Sequence, residues 1–156
     1  MSTQSYVRDP HELEQEALED FLNDPQAQKQ LAQVLDWFSM LCGAQARKSG
    51  FDDDPQAIRG ILQTHGTPVL QKWFDDCEIQ AELARIGSEV GEAVEAVRKD
   101  LQDTHLPAMH GFPVEVGDVL IRCGDTAARH DFSLGKHTVA KMVFNATRTK
   151  KHGKGS

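Results

Sequence analysis

The sequence predicts an all-α protein, and three observations carry that expectation. Apolar residues recur at three- and four-residue intervals through most of the chain. No segment sustains the alternation of a strand, and aromatic residues make up only 6% of the whole. The apolar stripes are separated by short runs of Asp, Asn, Thr, Ser, Pro and Gly that read as helix caps and turns.

A first short helix is expected over 11–23, with Leu13, Ala17, Leu18 and Phe21 on one side. Asn23-Asp-Pro ends it and caps the next. A second helix over 26–48 carries Leu31, Val34, Leu35, Phe38, Leu41 and Cys42. The polar stretch 49–55 is a loop, and Asp54-Pro55 opens a short helix to His65 that stops at Gly66. A long helix follows over 68–100, with the stripe Leu83, Ile86, Val90, Val94, Val97 and Leu101. Residues 104–113 form a connector. The helix over 114–130 has two apolar faces, Val116, Leu120, Cys123 and Ala127 on one and Val114, Ile121 and Ala128 on the other. The polar strip Glu115, Asp118, Arg122 and Asp125 runs between them. A helix apolar on two sides is expected to be buried on both, which would turn the strip toward an enclosed site. Asp131 or Ser133 caps a last helix to about Thr149, and a basic tail closes the chain.

At 156 residues the chain is long enough for a real core. Its net charge of −7 is uneven. Residues 133–156 hold six Lys or Arg and no acid, while the rest carries 11 basic and 24 acidic side chains. An acidic body with a basic tail argues against broad nucleic-acid binding. Cys42, Cys77 and Cys123 are scattered, with no metal-binding spacing, and read as reduced thiols. The N-terminal segment is polar, and no apolar run approaches the ~18 residues of a membrane span. A soluble cytoplasmic protein without a membrane partner is the expectation.

Two acidic pairs stand out, Glu89 with Glu92 and Glu115 with Asp118, separated by 22 residues. Each pair has i,i+3 spacing on an expected helix, so both carboxylates of a pair point the same way. Two such helices packed face to face would gather four carboxylates, which repel unless cations sit among them. An all-oxygen donor set suits Mg²⁺, with Mn²⁺ as an alternative. Lys141, Asn145 and Arg148 share one face of the last helix and are candidates for holding phosphates. The combination points to metal-dependent chemistry on a phosphate-bearing substrate.

The segment from Ser88 to Arg98, the run Glu115 to Arg122 and the run Lys141 to Arg148 together resemble the MazG-like, all-α nucleoside triphosphate pyrophosphohydrolases. They match that family's ExxE…ExxD pattern and its downstream K…N…R helix. The ending from Arg148 to Gly153 is similar to that of small stand-alone members. The resemblance covers 81–153 and is absent before Asp24. It implies a four-helix-bundle core in residues 26–156, with 1–25 as an N-terminal helical extension. It implies Mg²⁺-dependent hydrolysis of (deoxy)nucleoside triphosphates to the monophosphate and pyrophosphate by a homodimer or dimer of dimers. Carried over by motif position, Glu89, Glu92, Glu115 and Asp118 become metal ligands. Lys141, Asn145, Arg148 and Lys151 become phosphate contacts. Glu89 is the choice for orienting or deprotonating the attacking water, since it borders the apolar stripe. One departure is Ser88, where many members carry an acid.

Other residues read more plainly. Trp37, Phe38 and Trp73 are expected in the core, and the scattered histidines on surfaces and loops. Arg122 is expected to pair within its own helix with Asp118 or Asp125. A di-iron bundle needs Glu-x-x-His pairs that this chain lacks at Glu89, Glu92 and Glu115. A non-catalytic helical module that binds a nucleotide or a partner is the remaining alternative.

Overall fold

The computed structural model describes residues 10–50 and 53–148. Six helices account for nearly all of them: α1 (Pro10–Asn23), α2 (Pro25–Lys48), α3 (Asp53–His65), α4 (Pro68–Lys99), α5 (Gly111–Arg129) and α6 (Leu134–Ala146). The one β-type contact among the described residues is an isolated bridge between Gln102 and His110.

The caps fall where small polar residues precede a helix. Asp24 Oδ1 accepts from the Gln26 and Ala27 amides at 2.8 and 3.1 Å, with Pro25 opening α2. Thr67 Oγ1 accepts from the Leu70 amide and Pro68 follows it into α4. Ser133, rather than Asp131, caps α6 through the Lys136 amide at 3.0 Å. Helix α5 begins three residues earlier than the expected Val114. His110 is its N-cap, accepting from the Phe112 amide, and Pro113 sits inside the first turn. Proline is tolerated there because the first amides of a helix have no partner within it. Helix α6 stops at Ala146, so Arg148 lies past its end.

The chain forms two units, residues 1–35 with 133–156 and residues 36–132. In the first, Gln28 Nε2 donates to the Phe21 and Leu22 carbonyls across the α1–α2 break. There α2 and α6 approach closely, for a Cβ on Gly135 would fall 1.9 Å from the Ala32 carbonyl oxygen.

In the second unit α4 and α5 form the main packed pair. The end of α2 closes on α5: Ser39 Oγ donates to the Gly124 carbonyl at 2.9 Å, and a Cβ on Gly124 would meet Cys42 Sγ at 2.8 Å. Helix α3 is tied to α4 by Arg59, which pairs with Glu78. Among the described residues the buried apolar side chains are small or medium: Cys42, Ala93, Ala96, Ala127 and Val139. Small side chains let helix backbones come close but bury little apolar area.

The expectation that α5 is buried on both apolar faces is not met within this chain. Val116 and Leu120 remain exposed, the latter at 57%, and Ile121 is also open. Trp37 and Trp73 are exposed as well, contrary to the expected core positions. Phe38 is half-buried against Gly124. No helix among the described residues is long and apolar enough to cross a membrane.

Candidate functional site

Contacts along α4 and α5 run in opposite order, so the two helices are antiparallel. Gly111 at the start of α5 lies against Ala96 near the end of α4, where an added Cβ would fall 3.1 Å from the Ala96 Cβ. Near the other ends, His130 Nε2 lies 3.1 Å from Glu82 Oε2. The two acidic motifs fall between these anchors and face one another.

Glu89, Glu92 and Glu115 each place a carboxylate oxygen within 4.8 Å of the others. They come from both motifs and both helices. Asp118, the fourth expected ligand, lies outside this group of three but close enough for the Glu89 charge to act on it. Partial burial, then the charges of Glu92, Asp118, Glu89 and Asp103, push the Glu115 carboxyl above its usual range. Asp118 is raised by burial first and by Glu89 next, with Arg122 opposing. An oxygen-only set with mutual repulsion fits a hard divalent cation, the donor chemistry expected of Mg²⁺ or Mn²⁺. Exposed acidic groups also gather without a cation.

A cleft of about 560 Å³ opens beside the acids, with Ser88, Glu92, Leu101, Asp103, Thr104 and Glu115 in its wall. Its rim is the α4–α5 connector, held in shape by its own hydrogen bonds. The Asp103 carboxylate accepts from the His105 and Leu106 amides, the Asp103 amide donates to the Met109 carbonyl, and the Gly111 amide donates to the Leu101 carbonyl. Asp103 is an acid of the site that motif reading missed. Its position in a polar stretch just past α4 was the available signal.

Arg122 reaches beyond its own helix. Its Nε donates to Glu89 Oε1 at 2.9 Å, an ion pair across the helix seam that the reading of α5 alone did not include, while its charge also acts on Asp118 within α5. Two turns further along, Arg129 Nε bonds Asp125 Oδ2 at 3.1 Å and lies 3.4 Å from Glu82. Glu82 is buried and also engages His130, which the sequence assigned to a surface or loop. Glu82, Arg85, Arg122, Asp125, Thr126 and Arg129 line a charged cleft of about 140 Å³. Asp125 Oδ1 is buried and has no hydrogen-bond partner.

The expected phosphate contacts belong to the other unit. Lys141 Nζ and the Arg148 guanidinium both lie over the Phe144 ring, 5.0 and 6.0 Å from its centre. Asn145 is exposed in the last turn of α6. Lys151 lies outside the described residues.

No family model, curated protein or solved structure matches the chain. The fold and the site therefore define a class only: an all-helical protein with a carboxylate cluster on the seam of two antiparallel helices.

Proposed function

We propose that the chain is a Mg²⁺-dependent nucleoside triphosphate pyrophosphohydrolase, releasing the monophosphate and pyrophosphate. The observation that carries the reading is the meeting of Glu89, Glu92 and Glu115, from two motifs distant in sequence, within 4.8 Å. The motif resemblance in 81–153 supplies the reaction class. Glu89, Glu92, Glu115 and Asp118 would hold the cation, with Mn²⁺ as an alternative. A bound divalent ion supplies charge neutralisation at phosphate oxygens and a more acidic water.

The chain's own residues do the rest. Glu89, with a side chain only 13% exposed, accepts the proton of the attacking water. The motif resemblance assigns Lys141, Asn145, Arg148 and Lys151 to the substrate's phosphates. The cleft beside the acids is the place for the nucleoside. A four-helix core of the resembled type and assembly as a homodimer or dimer of dimers in the cytoplasm belong to the same reading. The large apolar residues left open on α4 and α5 support the assembly.

A second reading is favoured by the Arg122–Glu89 pair, since ion pairs along a helix seam also serve to join two helices. On that reading the chain is a non-catalytic module. The separating experiment incubates the purified protein with each dNTP and Mg²⁺ and measures pyrophosphate. Pyrophosphate with the monophosphate, lost in Glu92→Gln, is the expected result. Orthophosphate with a diphosphate, or no product from any nucleotide, rejects the proposal.

A further inference from the structure

Glu89 is claimed twice. It is one of the three carboxylates within 4.8 Å of each other, and it accepts from Arg122 Nε at 2.9 Å. A guanidinium and a divalent cation contend for the same negative charge at such a distance. The pair is partly sheltered, with the Glu89 side chain 13% and the Arg122 side chain 36% exposed, so water screens it less than an open surface pair.

A second observation lies one turn along α5. Asp125 Oδ1 is buried without a hydrogen-bond partner, while its other oxygen is bonded by Arg129. A buried acceptor left unmade is costly, and a nearby donor would relieve it. Arg122 and Asp125 are i,i+3 neighbours and line the same 140 Å³ cleft. The guanidinium carries five donors on a long side chain, enough reach to serve either carboxylate.

We infer that Arg122 is a positioning residue with two berths: it holds Glu89 in place as an internal counter-ion, and a divalent ion taking Glu89 displaces it toward Asp125 Oδ1. The inference rests on the metal-site reading above and adds what that reading lacks, a built-in competitor for the ion. Binding of the cation then exchanges one ion pair for another, so no carboxylate or guanidinium is left bare. The charged cleft changes its lining as the acidic cluster fills.

The competition has a sign that a purely structural role does not share. If Arg122 only braces the helices, removing it disorders Glu89 and weakens metal binding. If it competes, removing it strengthens metal binding. The full chain is titrated with Mn²⁺, without nucleotide, by calorimetry and by the loss of the free-ion paramagnetic signal. Wild type, Arg122→Gln, Arg122→Lys and Asp125→Asn are compared, each first checked for helical content. Arg122→Gln should bind Mn²⁺ roughly three- to fivefold more tightly, the scale of a partly exposed ion pair. Arg122→Lys should return most of the way to wild type. Asp125→Asn should bind Mn²⁺ more weakly, because the displaced guanidinium loses its charged berth. The Nε–H resonance of Arg122, identified by its absence from Arg122→Lys, should move as Mg²⁺ is added to wild type.

Equal or weaker Mn²⁺ binding by a folded Arg122→Gln overturns the inference while leaving the metal site standing. An Nε–H resonance indifferent to Mg²⁺ also overturns it. If Arg122→Gln does not fold, Asp125→Asn and the resonance carry the decision. Wild type that binds no Mn²⁺ overturns both the inference and the reading beneath it.

Discussion

Glu115 and Asp118 show how crowding of like charge enters the stability of the fold. Burial and the neighbouring carboxylates raise both groups above their ordinary values. The folded chain therefore keeps protons on them to a higher pH than the unfolded chain does. Their ionisation opposes folding, and the penalty grows as pH rises through the raised values. It disappears below the unfolded carboxylate range, near about pH 4. In buffer with chelator, Glu115→Gln with Asp118→Asn should raise the urea midpoint at pH 7, and the advantage should shrink steadily toward that acidic limit. Urea titrations at four pH values check this. A constant difference across the range contradicts it. The acids themselves were legible in the sequence because i,i+3 spacing fixes which way two side chains point. The Arg122–Glu89 pair was not, because it depends on the offset between two helices that no local pattern encodes.

Among the elements, α5 is held from two sides by close backbone approaches. Gly111 abuts Ala96, and Gly124 abuts Cys42 and Phe38 while its carbonyl accepts from Ser39. Gly124→Val should cost about 1–3 kcal/mol through overpacking of a short, buried contact. Gly60→Ala on α3, where a Cβ meets nothing within 4 Å, is the matched control and should gain about 0.5–1 kcal/mol of helix propensity. Denaturant midpoints of the two variants decide it. Equal effects of the two substitutions would reject the packing account. Four of the six helices begin within one residue of the position expected from caps and periodicity, and α3 begins at Asp53, inside the expected 49–55 loop. The largest departure, α5, starts on a histidine cap with a proline in its first turn, and both residues read locally as loop. The end of α6 was overrun for a similar reason, since Thr147 and Arg148 continue the pattern without continuing the helix.

At the scale of the molecule, the apolar stripe read along α4 was correct in its spacing and wrong in its implied cover. Val90, Val94, Val97, Phe112, Val116 and Val119 line an apolar groove of about 420 Å³. Leu83 on α4 and Leu120 on α5 are also open to solvent. Periodicity tells which face of a helix avoids water and is silent on whether this chain or another covers it. A second copy is the occupant our functional reading assigns. Sedimentation at micromolar concentration should give a homodimer or tetramer, and Val94→Asp should shift it toward the 17.3 kDa monomer with its helices retained. A wild-type chain that sediments only as a monomer would refute this assembly.

The scarcity of large buried side chains also has a calorimetric consequence. The heat capacity of unfolding grows with the apolar surface newly wetted, at about 12–15 cal/mol/K per residue for ordinary globular proteins. Among the described residues the buried apolar side chains are three alanines, one cysteine and one valine, so comparatively little apolar surface is newly wetted when the chain melts alone. Its stability curve should then be unusually flat, with weak curvature on cooling. If copies cover one another's valines, melting must also part them. The same polypeptide then acquires a steeper curve and a melting temperature that climbs with concentration. How strongly this protein responds to cold would depend on how much of it is present.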